Sequence, residues 1–398
     1  MKIVISGYYG SGNAGDEAML DSILQLLAEK APKASVTVIS VNPLDTQRSH
    51  KVKAVSHLNP FAVVKTLFSA DLLISGGGSL LQNVTSSRSL YYYLGVITLA
   101  LILRCKVMLF AQGIGPIFGD FARSVTRLIL NRVNLITVRD RGSLVELSRL
   151  KVTTPKIECT ADPVLALRPV SLDFGRSVLR KEGASIGTKG LKSNGEVANV
   201  DSQQDPMLLG VAVRRWRNFN DFKIRLADAL DALNKAHNKN KSHPLKVVFI
   251  PMQISSDVEA ADEVAALTKI DCIVLREHFS TQQLLSIVGC MDVLIGIRLH
   301  ALIFAGVMSV PMVGVSYDPK IERFLNSIGQ EPVGTLEEFE PDRLVAAVLA
   351  LKRSAEGAIG HFGDTFGNYD SGRTSGVDLS QLRVLAEENV NLALSLIR

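Results

Sequence analysis

Three basic residues in the second half of the chain stand where they could perform acid–base and anion-binding chemistry. His300 opens a helix-like stretch, Leu299–Val307, with Arg298 just ahead of it, and Lys320 follows Pro319. An imidazole can donate or accept a proton near neutral pH, while guanidinium and ammonium groups bind carboxylates and phosphates. The pattern indicates a site for an anionic molecule that must gain or lose a proton.

The surrounding sequence predicts the elements that position these residues. Two continuous apolar runs, Val293–Gly296 and Pro311–Val315, are typical of buried parallel strands. In open α/β sheets ligands bind at the carboxyl ends of strands, so we expect His300 and Lys320 at that edge. Similar apolar runs alternate with helical patterns along most of the chain, which predicts an α/β fold with parallel sheets.

Other predicted strands also end in cations. Arg139 follows Leu135–Val138, and Arg214 directly follows the run that begins at Met207. Several arginines around one cleft would suit a phosphate or carboxylate, because each guanidinium offers two parallel donors. The alternatives stay open at this point: His300 could be a structural hydrogen-bonding residue, and Lys320 could be solvated.

Glycine-rich segments follow two predicted strands in the first half. Tyr8–Asp16 leads from the run Lys2–Gly7 into a helical pattern, and Gly76-Gly77-Gly78 follow Asp71–Ser75, with a helix predicted from Ser79. A glycine-rich turn before a helix N-terminus favours anions, because free backbone N–H groups point out of the first turn. A plain tight turn explains either segment equally well.

Composition limits the classes of protein. The chain has 398 residues, 47% of them hydrophobic, and a formal net charge of +5 without a concentrated basic run, so we expect no nucleic-acid partner. The four cysteines form no CxxC pair, and no metal-binding motif is present, so we expect no metal or cofactor. The longest apolar run, Leu94–Leu103, is about half of the ~20 residues needed to span a bilayer. We therefore expect a cytoplasmic protein.

Composition also suggests domain limits. We predict an N-terminal Rossmann-like domain over 1–170, a flexible linker or insertion over 171–206, and a second Rossmann-like domain over 207–355. A glycine-rich flexible loop, 356–378, contains His361, which we interpret as a solvated loop residue, and a last helix covers 379–398. Two parallel sheets facing a central cleft would bring the strand ends of both halves around one site.

Seven short motifs, in order from residue 6 to residue 321, together resemble the polysaccharide pyruvyltransferases. They are SGYYGSGNAGDEAML at Ser6–Leu20, ISGGGSLLQ at Ile74–Gln82, AQGIGP at Ala111–Pro116, ITVRD at Ile136–Asp140, GVAVRRW at Gly210–Trp216, GIRLHALIFA at Gly296–Ala305 and SYDPKI at Ser316–Ile321. The chain looks most like the bacterial branch that pyruvylates the secondary cell-wall polymer anchoring S-layer proteins.

The resemblance implies a GT-B-like fold and transfer of a pyruvyl unit from phosphoenolpyruvate, a co-substrate, to a sugar. In that branch the product is a 4,6-linked ketal on an N-acetylmannosamine of a lipid-linked precursor. Carried over by matching motif, His300 would be the general acid/base, Lys320 and Arg139 would hold phosphoenolpyruvate, and Arg214 would assist them. The glycine-rich corners would face the acceptor through the residues Asn13, Gly15, Asp16, Gly77, Gly78 and Gln112.

Two other functions remain open at this stage. One is a nucleotide-sugar-dependent glycosyltransferase of GT-B architecture, although Lys320 favours a small polyanion as the donor. The other is a non-catalytic module that binds an anionic glycan. A lipid-linked acceptor would also make peripheral contact with the inner face of the cytoplasmic membrane a hypothesis, with the helix Ser89–Leu103 and the basic residues Arg123, Arg127 and Arg132 as candidates.

Overall fold

The computed structural model describes residues 1–84, 86–184, 206–216, 219–238, 244–358 and 379–397. The chain divides into two compact units, one of Met1–Leu167 with Val377–Arg398 and one of Arg168–Gly376. Each unit contains an all-parallel sheet with helices, which confirms the predicted α/β class. Most of the predicted flexible segments, including His361, lies outside the described residues.

The first unit is built on a seven-stranded sheet in the order β3-β2-β1-β4-β5-β6-β7. The order reverses after β1, so the loops that follow β1 and β4 lie at the topological switch point, where α/β sheets bind ligands. The strands are β1 Lys2–Ser6, β2 Ser35–Ser40, β3 Lys53–Ser56, β4 Leu72–Leu81, β5 Lys106–Ile114, β6 Leu135–Val138 and β7 Lys156–Cys159.

The described part of the first unit has seven α-helices: α1 Ala14–Lys30, α2 Pro43–His50, α3 Pro60–Phe68, α4 Ser87–Ile102, α5 Asp120–Leu130, α6 Arg141–Arg149 and the C-terminal α14 Leu379–Ser395. Asparagine, serine or aspartate side chains cap the N-termini of α1, α2, α3, α4 and α6. The buried Asn389 of α14 accepts hydrogen bonds from Thr137 and Thr160 and donates one to the carbonyl of Ala161. These bonds fix the last helix to the first unit.

The second unit contains a five-stranded sheet in the order β10-β9-β8-β11-β12. Its strands are β8 Met207–Ala212, β9 Leu245–Phe249, β10 Cys272–Val274, β11 Val293–Gly296 and β12 Met312–Gly314. Its helices are α7 Asp173–Lys181, α8 Phe219–Asn238, α9 Ile254–Ala265, α10 Thr281–Gly289, α11 Leu299–Val307, α12 Pro319–Ser327 and α13 Pro341–Ala358. Helix α7 lies inside the segment predicted as a linker from residue 171, and it packs on α10, where Gly175 N–H bonds to Ser286.

The triple glycine does not end its strand. β4 continues through Gly76, Gly77 and Gly78 as far as Leu81, and α4 begins only at Ser87, so the helix predicted from Ser79 is wrong. A Cβ atom at Gly76 would stand 2.4 Å from the hydroxyl of Tyr9, and one at Gly77 would stand 2.5 Å from Met19 Sδ. These glycines therefore allow the β1–α1 segment to pack directly on the strand, which a pattern-based turn prediction could not anticipate.

Candidate active site

Three adjacent strands of the second unit bring the predicted basic residues to one edge of the sheet. β8, β11 and β12 are neighbours, and their last residues, Ala212, Gly296 and Gly314, lie in register. Arg214 follows β8, His300 follows β11 and Lys320 follows β12. Because the strands are parallel, all three residues lie at the carboxyl edge of the same sheet, as the sequence predicts.

His300 is the second residue of α11, a helix whose other residues are all buried. Its own side chain is half-buried, so it is the polar group that this apolar helix presents in its first turn. The helix has no side-chain N-cap, since the Arg298 side chain at the cap position makes no hydrogen bond to the first turn. An imidazole at a helix N-terminus and a strand end is well placed to exchange a proton with a bound molecule.

Arg298 is not part of the anion-binding set. Its guanidinium forms a buried ion pair with both carboxylate oxygens of Asp257, which is fully buried. The same carboxylate accepts hydrogen bonds from the backbone N–H groups of Met252 and Gln253 at the start of α9. The pair connects the loop after β11 to the first turn of α9 and thereby fixes the backbone two residues before His300.

Arg214 and Lys320 meet at the ring of Tyr317. The Arg214 guanidinium lies 5.0 Å from the centroid of this ring and 4.7 Å from that of Trp216, and it donates a hydrogen bond to the Tyr317 hydroxyl. Lys320 Nζ lies 5.2 Å from the Tyr317 ring and 3.4 Å from Asp318 Oδ2. Aromatic faces attract cations, so Tyr317 holds two positive charges near each other without neutralising them.

Tyr317 and Trp216 are site residues that the sequence analysis did not assign. Both stand in the motifs that carried the resemblance, beside Arg214 and Lys320, but neither received a role. The available signal was an aromatic residue two or three positions from a cation after each strand. It is a weak signal, because the same spacing is common in loops that bind nothing.

The glycine-rich corner of the first unit is acidic instead of anion-binding. Asn13 Oδ1 accepts the backbone N–H groups of Gly15 and Asp16, at 3.0 and 3.4 Å, so the donors of the first turn of α1 are used by the cap. That turn also contains two carboxylates, Asp16 and Glu17, and Glu17 accepts the N–H of Gly10. Of the two interpretations left open for Tyr8–Asp16, an anion site is disfavoured by these carboxylates. Carboxylate oxygens accept hydrogen bonds, so the corner suits the hydroxyl groups of a sugar.

A buried histidine stabilises this corner. His50, the last residue of α2, bonds to Glu17 at 2.8 Å and to Asp21 at 2.6 Å. Burial lowers the pKa of His50, but hydrogen bonds to Asp21 and Glu17 outweigh burial and raise the pKa to about 9. His50 is therefore an imidazolium at neutral pH, and it fixes the carboxylate that holds the glycine-rich turn.

The remaining predicted residues of the first unit have internal partners. Arg139 forms a buried ion pair with Asp162 at 2.6 Å and donates to Ser79 Oγ at 3.1 Å, so its charge is compensated within the unit. Gln112, expected in a loop, is buried in β5, and its Nε2 donates to the carbonyls of Ser75 and Gly76. Gly77 and Gly78 lie in β4 instead of a loop, because the strand continues through them. The binding roles assigned to these residues stay predictions.

The described residues contain no group of three or more histidine, cysteine, aspartate or glutamate side chains that could hold a metal ion. Among the helices they form, none has both the length and the apolar character needed to cross a membrane.

Comparisons with known proteins agree with the motifs. The family model described as polysaccharide pyruvyl transferase matches residues 13–319, which include every strand of the two sheets except β1. The amylovoran biosynthesis protein AmsJ of Erwinia amylovora is 21% identical over 381 residues, covering 83% of this chain and 86% of that protein.

Solved structures show the fold. A putative UDP-N-acetylglucosamine 2-epimerase from Listeria monocytogenes superposes with a TM-score of 0.61 at 10% identity, covering 98% of this chain and 96% of its own. The UDP-GlcNAc 2-epimerase from Neisseria meningitidis, bound to UDP-GlcNAc, gives 0.58 at 10% identity, covering 99% and 100%. Anabaena Alr3699/HepE in complex with UDP and glucose gives 0.54 at 12% identity, covering 100% and 97%. The fold is therefore GT-B-like, as predicted.

Proposed function

The chain belongs to the polysaccharide pyruvyl transferase family, and on that premise we propose that it transfers the pyruvyl group of phosphoenolpyruvate to a sugar of a lipid-linked cell-wall polymer precursor. The acceptor that we propose is N-acetylmannosamine, and the product is a 4,6-linked pyruvate ketal. The polymer would be the secondary cell-wall polymer that anchors S-layer proteins. The resemblance of the seven motifs to that branch supports this acceptor.

The observation that carries the donor assignment is the pair of cations at Tyr317. Phosphoenolpyruvate is a compact molecule with a phosphate and a carboxylate, and Arg214 and Lys320 offer a guanidinium and an ammonium on one aromatic ring. A guanidinium binds either group through two parallel donors, and an ammonium acts as a point charge. Arg139 is assigned to donor binding only through its motif, because Asp162 compensates its charge.

The chemistry follows from protonation of the donor alkene. His300 as imidazolium gives its proton to the methylene carbon, which becomes a methyl group and leaves oxocarbenium character on C2. One sugar hydroxyl attacks C2 and releases a proton, which returns to His300. The C2–O bond to phosphate then breaks, the second hydroxyl attacks C2 and closes the ketal, and its proton passes to the released phosphate, which leaves as hydrogen phosphate. Cations at the phosphate stabilise the charge that develops on the leaving group.

The acidic corner of the first unit supports a neutral, hydroxyl-rich acceptor. Asp16 and Asn13 stand at the N-terminus of α1, next to the carboxyl end of β1. Hydroxyl groups can donate to the carboxylate of Asp16, whereas a second polyanion would be repelled by it. We assign the acceptor to this corner and the donor to the edge of the second sheet. We further propose a cytoplasmic enzyme, since phosphoenolpyruvate is a cytoplasmic metabolite.

Inorganic phosphate release tests this assignment against the alternative of a nucleotide-sugar-dependent glycosyltransferase. The purified enzyme is incubated with phosphoenolpyruvate, with or without a synthetic N-acetylmannosaminyl acceptor, and separately with UDP-sugars and the same acceptor. We expect acceptor-dependent phosphate release from phosphoenolpyruvate and a pyruvylated product by mass spectrometry. Transfer from a UDP-sugar with no release from phosphoenolpyruvate would support the glycosyltransferase.

A further inference from the structure

Helices α3, α4 and α5 carry large apolar side chains on the outside of the first unit. The helices pack side by side, with α4 between α3 and α5. Phe61 and Phe68 of α3 are 86% and 76% exposed, and Phe121 of α5 is 73% exposed. Phe61 and Phe68 are seven residues apart, as are Phe121 and Leu128, so each pair lies on one side of its helix.

Contacts join the N-terminal part of α4 to the first turn of α5 and join the segments that precede these helices. The rings of Tyr91 and Phe121 lie 6.3 Å apart, and the Asn83 side chain exchanges two hydrogen bonds of 2.8 Å with the backbone of Phe118. Exposed apolar patches of this kind mark interaction sites in folded proteins. We name this surface the aromatic face and define it by Phe61, Phe68, Tyr91, Phe118, Phe121 and Leu128.

The charge around the aromatic face is positive. Residues 57–134, which contain all three helices, include seven lysine and arginine side chains and only two acidic ones, Asp71 and Asp120. Six of the seven are exposed, among them Lys65 on α3, Arg88 on α4, Arg127 on α5 and Arg132 just beyond it. Two copies of this surface facing each other would bring like charges together, which disfavours self-association. Aromatic side chains beside lysine and arginine match the requirements of an anionic lipid surface.

We propose that the aromatic face docks on an anionic lipid bilayer. Phenylalanine and leucine side chains enter the boundary between headgroups and acyl chains, while Lys65, Arg88, Arg127 and Arg132 bind the lipid phosphates. The inward residues of α4, including Leu90, Leu94 and Ile97, are buried in the core, so this apolar helix contributes only Tyr91 to the aromatic face.

Docking through the aromatic face would place the acceptor edge of the first sheet near the membrane. Phe118 follows the carboxyl end of β5, next to the end of β4, and the glycine-rich corner follows the neighbouring β1. The face therefore extends to the sheet edge that we assign to the acceptor. The purpose of this placement rests on the proposed lipid-linked acceptor, whereas the docking itself rests only on the exposed side chains and their charge.

Vesicle co-sedimentation tests the docking. The full chain is mixed with phosphatidylglycerol vesicles or phosphatidylcholine vesicles at low and high salt. We expect binding to the anionic vesicles that weakens with salt and falls at least about tenfold in the double variant Phe61→Ser/Phe121→Ser, since two exposed aromatic anchors are lost. Val384→Ser on α14, where Val384 is 68% exposed, is the matched control and should bind like the parent chain.

A parallel activity assay distinguishes a failure of the docking from a failure of the proposed function. Phosphate release with a water-soluble acceptor should be the same in the double variant and the parent, which also shows that the variant is folded. Absence of binding to anionic vesicles would overturn the docking even if the enzyme is active. Equal binding by parent and double variant would also overturn it, as would a parent dimer that the double variant dissociates. Vesicle binding by a chain that releases no phosphate would support the docking and remove the proposed function.

Discussion

Arg214 donates a hydrogen bond to the hydroxyl of Tyr317 while its guanidinium lies 5.0 Å from the centroid of the same ring. The hydroxyl fixes the direction of the guanidinium, and the ring leaves its charge available. Arg214 and Tyr317 follow different strands, β8 and β12, which are separated by β11 in the sheet. This contact is therefore what brings two of the predicted donor-binding cations together.

Removing only that hydroxyl should weaken donor binding. We expect Tyr317→Phe to raise KM for phosphoenolpyruvate by about 10-fold with little change in kcat, because a hydrogen bond to a charged group is worth about 1.5 kcal/mol. Steady-state phosphate release measures both constants. Tyr92→Phe is the control, because among the described residues the Tyr92 hydroxyl has no hydrogen-bond partner. A KM that stays at the parent value in Tyr317→Phe would remove Arg214 from the donor site.

Loss of the Lys320 ammonium group should weaken donor binding more than loss of the Tyr317 hydroxyl. We expect Lys320→Gln to raise KM for phosphoenolpyruvate by about 10- to 100-fold, since one charge-assisted contact to a phosphate contributes about 1.5–3 kcal/mol. Arg323→Gln removes a cation from the same helix one turn later and should change KM far less. Equal effects of the two substitutions would mean that only the general positive field of α12 matters.

The buried pair of Arg298 and Asp257 should contribute to stability more than to binding. We expect Arg298→Leu to lower the free energy of unfolding by about 3 kcal/mol, because Asp257 stays buried without its cation. Arg276→Leu breaks an exposed pair with Asp262 and should cost under about 1 kcal/mol. Urea titration followed by tryptophan fluorescence compares the two, as Trp216 lies in the second unit. Similar losses in both variants would contradict a buried structural role for Arg298.

Stability should depend on pH through His50. The folded pKa of about 9 exceeds the usual value of 6.5, so the stabilising contribution is complete below about pH 6.5 and is lost as pH rises through 9. We expect the free energy of unfolding of the parent to exceed that of His50→Gln at low pH, and the difference to shrink by on the order of 2–3 kcal/mol across that window. Urea titration at each pH measures it. The exposed His278→Gln should show no such change. A parent and a His50→Gln variant with parallel stability curves from pH 6 to 10 would contradict the pairing with Glu17 and Asp21.

Periodicity and strand ends allowed much of this arrangement to be predicted. Continuous apolar runs marked β8, β11 and β12, and the rule that ligands lie at carboxyl ends placed Arg214, His300 and Lys320 at one edge. Local pattern could not show partners distant in sequence. Asp257 compensates the charge of Arg298 and lies 41 residues from it in sequence, and Asp162 compensates the charge of Arg139 from a distance of 23 residues. Whether the N–H donors at the start of α1 are available depends likewise on the direction of the Asn13 side chain, which accepts from Gly15 and Asp16.

The glycines of β4 illustrate a second limit. A run of three glycines predicts a turn when only local conformational freedom is considered. In the folded unit the same residues extend a strand, because Tyr9 and Met19 pack where their side chains would stand. The requirement for glycine comes from a tertiary contact, so it cannot be predicted from the conformational propensity of the segment alone.

Phosphate release from phosphoenolpyruvate by the parent enzyme and by His300→Gln, with and without an N-acetylmannosaminyl acceptor, tests the central claim most directly. The account predicts acceptor-dependent release by the parent and a fall in kcat of about 10²–10⁴-fold in His300→Gln, the usual contribution of a general acid. Binding of phosphoenolpyruvate, followed by its thermal shift, should be retained in the variant because Arg214 and Lys320 are intact. Near-parent release by His300→Gln would contradict the account.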